Sequence, residues 1–224
     1  MWAGSAASRG VPLWGQPGLM KRGGDAGFRA GRRRELLAVE AIGAPSGHAG
    51  VILVLARVIE RGWGAARERE LLGASVETQL SHRQSGQPFL YPYEVGKTGS
   101  RLAWCYGDLG VALALRKAAR ALDSDDWASA SSEAVRTAAS ASIEASLVVD
   151  AGLCHGAAGV ALVFSNFTDE PLAIEAANRW WSLVARFAFT TRAVGLLEGL
   201  AGIALALESR ITGSREWARL YGFA

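Results

Sequence analysis

The sequence predicts an all-α fold in which helical hairpins are arranged in a ring or a solenoid. Three observations lead to this prediction. A short motif, x-Gly-x-x-Gly-[Val/Ile], occurs four times, and its first glycines recur 43 to 60 residues apart. An apolar stretch follows each copy, and longer amphipathic stretches lie between the copies. Recurrence over this length is typical of repeat architectures, in which each unit buries its apolar face against its neighbours.

The motif copies mark the expected starts of buried helices. They occupy 46–51, 106–111, 155–160 and 198–203. The stretches that follow them are apolar on nearly every side, as a buried helix should be. Those stretches are 52–57, 112–116, 161–165 and 204–208.

The residue before the first glycine of each motif is expected at a helix N-terminus. If the four helix starts converge, one residue from each copy lines a common cavity. These residues are Ser46, Tyr106, His155 and Glu198. For any single copy the alternative is that the glycines only let two helix backbones approach closely, since glycine is otherwise costly in a helix.

Three amphipathic stretches predict surface helices that alternate with the buried ones. They span 65–80, 126–147 and 171–189. Ser124 or Asp125 is expected to cap the second helix, and Asp169 the third, because short polar side chains accept hydrogen bonds from the first free N–H groups of a helix.

Charge is distributed unevenly along the 224 residues. The segment 1–34 holds seven basic residues and one acidic residue, so it carries +6, and the rest carries −3 of the net +3. A mildly acidic body predicts no nucleic-acid partner. We expect 1–36 to be a disordered or non-native basic segment and 37–224 to be the folded domain.

The sequence predicts a cytoplasmic protein. No apolar run reaches the roughly 18–20 residues that a membrane span needs, and the N-terminus lacks the apolar core of a signal peptide. In the cytoplasm Cys105 and Cys154 should stay reduced and available to a metal.

Cys105, Cys154 and His155 all fall at expected helix starts and are candidate metal ligands. Thiolate and imidazole groups are the ligands that zinc prefers, and three protein ligands leave one tetrahedral position open, as in catalytic zinc sites. The alternative is that the cysteines are small buried residues without a chemical role.

Four segments of the chain resemble the lanthionine synthetase C-like (LanC-like) family. Trp104-Cys105-Tyr106-Gly107 and Cys154-His155-Gly156 look like its WCYG and CHG motifs. The segments 196–202 and 217–220 are similar to its final helix motif and its C-terminal end. The resemblance runs from Leu37 to the C-terminus.

This resemblance implies an (α/α) toroid of seven repeats, each with one inner and one outer helix. About four of the seven repeats are visible in this sequence. We therefore expect an incomplete ring, either a fragment or one completed by oligomerisation. It also implies Zn²⁺ held by Cys105, Cys154 and His155. The implied activity is a zinc-dependent addition of a cysteine thiol to dehydroalanine or dehydrobutyrine, which forms thioether rings in a dehydrated precursor peptide.

Two further residues match family positions, and one does not. Arg101 matches the arginine four residues before the WCYG cysteine, and Tyr106 matches the tyrosine after it. Ser46 stands where the family has a histidine that is a candidate acid or base. His48, two positions later, is a candidate substitute, or else an exposed histidine without a catalytic role.

Three hypotheses follow. The first is the cyclase-like enzyme, with a dehydratase as an expected partner. The second is a zinc-binding, non-catalytic LanC-like fragment or a module that binds peptide or glutathione. Some relatives in the family add glutathione to dehydrated residues, and that reaction is a variant of the first hypothesis. The third is another toroid enzyme, such as a glycosidase or a prenyltransferase-type zinc enzyme. A glycosidase needs two placed carboxylates. Asp108 and Glu198 are the candidates for that pair.

Overall fold

The computed structural model describes residues 47–223, apart from the side chain of Leu220. The segment 1–36, the boundary at 37 and Ser46 lie outside the described residues. Within them the chain forms α-helices and one final 3₁₀ helix, with no β-strand, which confirms the all-α prediction. The α-helices are α1 (His48–Glu60), α2 (Ala66–Ser81), α3 (Asp108–Leu122), α4 (Asp125–Ser140), α5 (Ile143–Ser146), α6 (Ala157–Phe164), α7 (Pro171–Ala188) and α8 (Leu200–Thr212). The 3₁₀ helix is Trp217–Tyr221.

The helices pack as hairpins in two layers. Helix α1 pairs with α2, α3 with α4, and α6 with α7. The helices that follow the glycine motifs also contact one another in chain order, α1 with α3, α3 with α6, and α6 with α8. Of the intervening helices, α4 packs against α7. The motif helices therefore form an inner layer, and the amphipathic helices lie outside it.

Burial follows this layering. Every residue of α6 is buried, as its apolar sequence predicts. The outer helix α7 buries a single stripe, in which Ala173, Ala176, Ala177 and Trp180 recur at the spacing of one helix face. None of the described helices combines the length and the apolar character needed to cross a membrane.

The two inner helices at the ends of the described series are less buried than the sequence predicts. Val54 in α1 is 64% exposed, and Ala204 in α8 is exposed as well. In contrast, α3 and α6 each pack between two other inner helices. The prediction of four helices buried on all sides is therefore wrong for α1 and α8, because each has an inner neighbour on one side only within the described residues.

The predicted helix at 126–147 is divided into α4 and α5. The chain becomes extended at Ala141, and the Ser142 side chain then caps α5 by accepting a hydrogen bond from Ala145 N–H at 3.1 Å. Ser124 caps α4, as predicted, by accepting from Trp127 N–H.

Asp169 does not cap α7. That helix begins after Glu170, without a side-chain cap, and has Pro171 in its first turn, where a missing N–H costs nothing. The Asp169 carboxylate instead pairs with the Arg116 guanidinium of α3 at 2.7 Å. The prediction that Asp169 caps this helix is wrong because a cross-helix partner competes for its carboxylate.

The connection between α2 and α3 covers the inner layer. Phe89 and Tyr91 are buried, whereas Tyr93 and Val95 are exposed. Asp108, the first residue of α3, accepts hydrogen bonds from the backbone N–H groups of Leu90 and Tyr91 at 3.0 and 2.8 Å. Two backbone hydrogen bonds therefore anchor this connection to the start of α3, and its buried aromatic side chains pack into the core.

Candidate metal centre

The loops that precede α3, α6 and α8 lie side by side. Cys105 N–H donates to the carbonyl oxygen of Cys154 at 3.3 Å. Leu153 and Cys154 donate their N–H groups to the carbonyl oxygen of Leu197 at 2.7 and 3.0 Å. Backbone hydrogen bonds thus join three motif loops in series, and they bring together side chains that are distant in sequence.

Cys105, Cys154 and His155 form a cluster at this junction. Their ligand atoms, two sulfurs and one imidazole nitrogen, all lie within 4.8 Å of one another. In a tetrahedral zinc site, bonds of about 2.3 Å to sulfur and about 2.0–2.1 Å to nitrogen put neighbouring ligand atoms about 3.6–3.8 Å apart. The donor set and the spacing therefore fit a zinc ion after a small contraction.

The three groups differ in exposure. Cys105 is buried, whereas Cys154 and His155 are half-buried. A metal held by them would be anchored on the protein side and would keep its fourth position open to an incoming ligand, the arrangement of catalytic zinc sites.

The two thiols shift each other's pKa in opposite directions. Because the Cys105 thiol donates a hydrogen bond to the Cys154 sulfur, the pKa of Cys154 is lowered to about 5, and neighbouring His155 lowers it further against the effect of burial. The same hydrogen bond, together with burial, raises the pKa of Cys105. The Cys154 thiol is therefore the more readily ionised of the two.

Gly107 gives the WCYG loop its shape. Its φ of +73° lies in the left-handed region, which side chains other than glycine rarely adopt. A Cβ there would also lie 2.5 Å from the Ser100 Oγ and 2.8 Å from the Arg101 carbonyl oxygen. The glycine thus lets the chain turn back on itself immediately before α3.

Arg101 and Tyr106 lie beside the cluster. The Arg101 guanidinium donates to the carbonyl oxygen of His155 at 3.1 Å and lies 5.7 Å from the centre of the Tyr106 ring. Burial raises the pKa of Tyr106, and the charge of Arg101 opposes this rise. A cation and a protonated phenol therefore accompany the three candidate ligands.

A comparison with protein-family profiles finds the lanthionine synthetase C-like proteins, matched over residues 34–220. The chain belongs to this family. A comparison with curated protein sequences finds no match. Among solved structures the LanC-like chain is similar to one titled nisin cyclase, with 18% sequence identity and a TM-score of 0.71. The alignment covers 83% of this chain and 50% of nisin cyclase, so the chain spans about half the length of that protein.

The described helices of this LanC-like chain form part of an (α/α) toroid, as predicted. The inner helices α1, α3, α6 and α8 each follow one glycine motif, and three of the preceding loops meet at the cysteine–histidine cluster. Of the residues predicted to face a common cavity, His155 belongs to the cluster itself. The charge of Glu198 raises the pKa of Cys154, although the hydrogen bond from Cys105 lowers it more.

His48 lies in different surroundings. It is 3% exposed, and its ring stacks on that of His82, with 5.4 Å between the ring centres and 3° between the planes. The expectation of an exposed histidine is therefore wrong, because the end of α2 covers the start of α1. His48 is not among the residues whose ligand atoms form the metal cluster.

One member of the carboxylate pair proposed for a glycosidase is not accessible to a substrate. Asp108 is fully buried, and its two oxygens accept hydrogen bonds from the backbone N–H groups of Leu90 and Tyr91. Its carboxyl group is thus committed to the fold and cannot be presented to a sugar. This observation removes the main support for the third hypothesis.

Sequence reasoning missed Asp150. Its carboxylate lies 3.7 Å from the Nε2 atom of His155. A hydrogen bond with Cys154 raises the pKa of that imidazole most, burial opposes the rise, and the negative charge of Asp150 adds to it. The only available signal was an acidic residue five positions before the histidine of the CHG motif. An isolated loop aspartate is usually solvated, so the pattern alone did not single it out.

Proposed function

We propose that this chain binds zinc through Cys105, Cys154 and His155 and catalyses thioether formation in a dehydrated peptide. The observation that carries the proposal is that two different repeats supply three soft ligands within 4.8 Å of one another. Membership of the LanC-like family and the likeness to nisin cyclase support the substrate class.

In the proposed reaction the sulfur of a peptide cysteine adds to the β-carbon of a dehydroalanine or dehydrobutyrine. The thiol loses its proton, a carbon–sulfur bond forms, and the α-carbon gains a proton, so the product has the same mass as the substrate. Zinc, when bound, supplies an open coordination position that lowers the pKa of the incoming thiol.

The residues of the chain have separate tasks in this proposal. We assign Arg101 to the negative charge that develops on the carbonyl oxygen of the dehydrated residue, since charge stabilisation of this kind contributes strongly to catalysis. Its hydrogen bond to the His155 carbonyl oxygen ties the guanidinium to the cluster. Tyr106 keeps its proton at neutral pH, because burial raises its pKa, and can donate a hydrogen bond.

A second candidate function is zinc binding without catalysis. The specific observation in its favour is Ser46, which occupies the position of the family histidine and cannot titrate near neutral pH. His48 lies against His82 and does not belong to the cluster, so its proposed role as a substitute lacks support from the described geometry. A dehydratase partner, glutathione and a cytoplasmic location stay predictions from the sequence.

Zinc content tests the metal centre. We expect elemental analysis of the purified protein to find about one zinc ion per chain, and a Cys105→Ala, Cys154→Ala double variant to contain none. Circular dichroism of the variant checks that its helices persist. A helical parent protein without zinc would contradict the proposal at its first step.

Thiol protection tests the activity. Because cyclisation does not change mass, a dehydrated peptide with one cysteine is incubated with the zinc-loaded protein and then alkylated, and mass spectrometry counts the thiols that still react. We expect the zinc-loaded protein to protect the thiol and the double variant to leave it reactive. If zinc is bound but the thiol stays reactive with both the parent protein and Ser46→His, zinc binding without catalysis is the function.

A further inference from the structure

The loop before α6 holds a carboxylate against the candidate metal ligand His155. The Asp150 Oδ2 atom lies 3.7 Å from His155 Nε2, a distance that makes an ion pair when the imidazole is protonated and is longer than a hydrogen bond. Their side chains are 36% and 26% exposed, respectively, so the pair is partly shielded from water. Shielding makes a charge interaction stronger than it would be on an open surface.

Asp150 is held in this place by the backbone around it. Its Oδ1 atom accepts a hydrogen bond from Gly152 N–H at 2.7 Å. Its carbonyl oxygen accepts from Ala157 N–H at 2.8 Å, which satisfies the first free N–H group of α6. The side chain and the backbone carbonyl of Asp150 are thus both hydrogen-bonded to the segment that carries the CHG motif, which restricts the position of the carboxylate.

The glycine of the CHG motif provides the space for this arrangement. A Cβ on Gly156 would overlap the Asp150 Oδ1 atom and the Gly152 nitrogen. The φ of Gly156 is −101°, which any residue can adopt, so the requirement for glycine comes from close approach and not from backbone conformation. The loop of Asp150 and the motif that carries His155 are therefore packed as one unit.

An imidazole that binds a metal through one ring nitrogen carries its proton on the other. A carboxylate beside the protonated nitrogen fixes the tautomer and the orientation of the ring, and such partners commonly contribute 10- to 100-fold to metal affinity. In this chain the nitrogen that faces the carboxylate is Nε2, which leaves Nδ1 for the metal.

We propose that Asp150 is a positioning residue that orients His155 as a zinc ligand, with the proton on Nε2 and the metal on Nδ1. This inference rests on the zinc site of the proposed function. It extends that site by one residue outside the WCYG and CHG motifs. It also explains the glycine of CHG, because a side chain at Gly156 would overlap the Asp150 carboxylate.

The test is the zinc affinity of Asp150→Asn, measured by competition with a chromophoric chelator. Asparagine keeps an oxygen that can accept from Gly152 N–H, so the loop should persist while the negative charge is lost. We expect affinity to fall 10- to 100-fold and the visible absorption of the Co²⁺-substituted protein to change, with an unchanged circular dichroism spectrum.

Glu198→Gln is the matched control. Glu198 is an exposed carboxylate whose charge acts on Cys154, and it forms no ion pair with His155 within the described residues. Its loss should reduce zinc affinity less than Asp150→Asn does. Equal losses in the two variants would show a general charge effect and would overturn the positioning role.

A second test uses the parent protein without substitution, so it does not depend on whether a variant folds. Nitrogen-15 chemical shifts of the His155 ring in the zinc-loaded parent protein should show a protonated Nε2 and a coordinated Nδ1. Coordination through Nε2 overturns the inference, as does parental zinc affinity in Asp150→Asn. A parent protein that binds no zinc overturns this inference together with the proposed metal site, whereas one that binds zinc without forming a thioether overturns only the cyclase activity.

Discussion

Single residues at the motif loops are constrained by what lies within a few ångströms of them. Gly107 is needed for its positive φ, and Gly156 for the close approach of the Asp150 loop. Gly73, in the middle of α2, has no atom within 4 Å of the place where a Cβ would stand, apart from its chain neighbours and the local helix backbone. Glycine is therefore required for two different reasons at Gly107 and Gly156 and is not required at Gly73, so the three positions predict different responses to substitution.

Gly156→Ala is expected to destabilise the protein and to remove its zinc, because the new methyl group must displace the loop beside His155. We expect the free energy of unfolding to fall by about 1–3 kcal/mol, the usual cost of overpacking. Thermal denaturation and elemental analysis provide the measurements.

Gly73→Ala is the matched control at this scale. The helix interior has room for the methyl group, and alanine loses less conformational entropy than glycine on folding, so stability should rise by roughly 0.5–1 kcal/mol with zinc content unchanged. A Gly156→Ala protein as stable and as zinc-rich as Gly73→Ala would show that the loops can separate without cost.

At the scale of elements, a buried carboxylate joins the α2–α3 connection to the start of α3. Burial raises the pKa of Asp108 from its ordinary value of 3.8 to about 7, although the hydrogen bonds from Leu90 and Tyr91 oppose this rise. Between pH 4 and pH 7 the folded state therefore retains a proton that the unfolded chain releases. By linkage, this group makes the protein less stable as pH rises through that window.

Asp108→Asn should remove this pH dependence, since asparagine does not titrate. Its amide nitrogen cannot accept one of the two backbone hydrogen bonds, so a loss of stability that is constant with pH is expected beside it. We expect urea denaturation at several pH values to show that the free energy of unfolding of the variant rises relative to that of the wild type between pH 4 and pH 7. The difference should change by at most about 1.4 kcal/mol per pH unit. Groups common to both proteins cancel in the difference. A difference that is constant with pH, or one that moves in favour of the wild type, would show that Asp108 is ionised throughout.

At the scale of the whole molecule, the described helices form part of a ring and match half the length of nisin cyclase. The inner helices α3 and α6 have inner neighbours on both sides, whereas α1 and α8 have one each among the described residues. Val51 and Val54, one helical turn apart on α1, are both exposed. Adjacent exposed apolar side chains of this kind favour association with another surface.

Val54→Glu is therefore expected to reduce concentration-dependent self-association, measured by sedimentation velocity. Leu172→Glu, on the outer helix α7, replaces an apolar side chain that is also exposed and should leave association unchanged. Similar sedimentation of Val54→Glu and the wild type at all concentrations would show that this face of α1 does not associate.

The sequence by itself determined the helical elements and the residues of the candidate metal centre. Helix periodicity, glycine motifs and caps such as Ser124 depend on neighbours a few residues away, so they can be recognised locally. The Cys105, Cys154 and His155 ligands were identified by their motifs, although their proximity across about fifty residues was only an implication of the family resemblance.

Tertiary structure alone decided which side chains meet. It buried His48 against His82, committed Asp108 to the backbone of the connection, and placed Asp150 beside His155. It also left α1 and α8 partly exposed although their sequences resemble those of buried helices. The physical reason is that burial and charge pairing depend on packing between distant segments, whereas sequence patterns report only the face that a single segment presents.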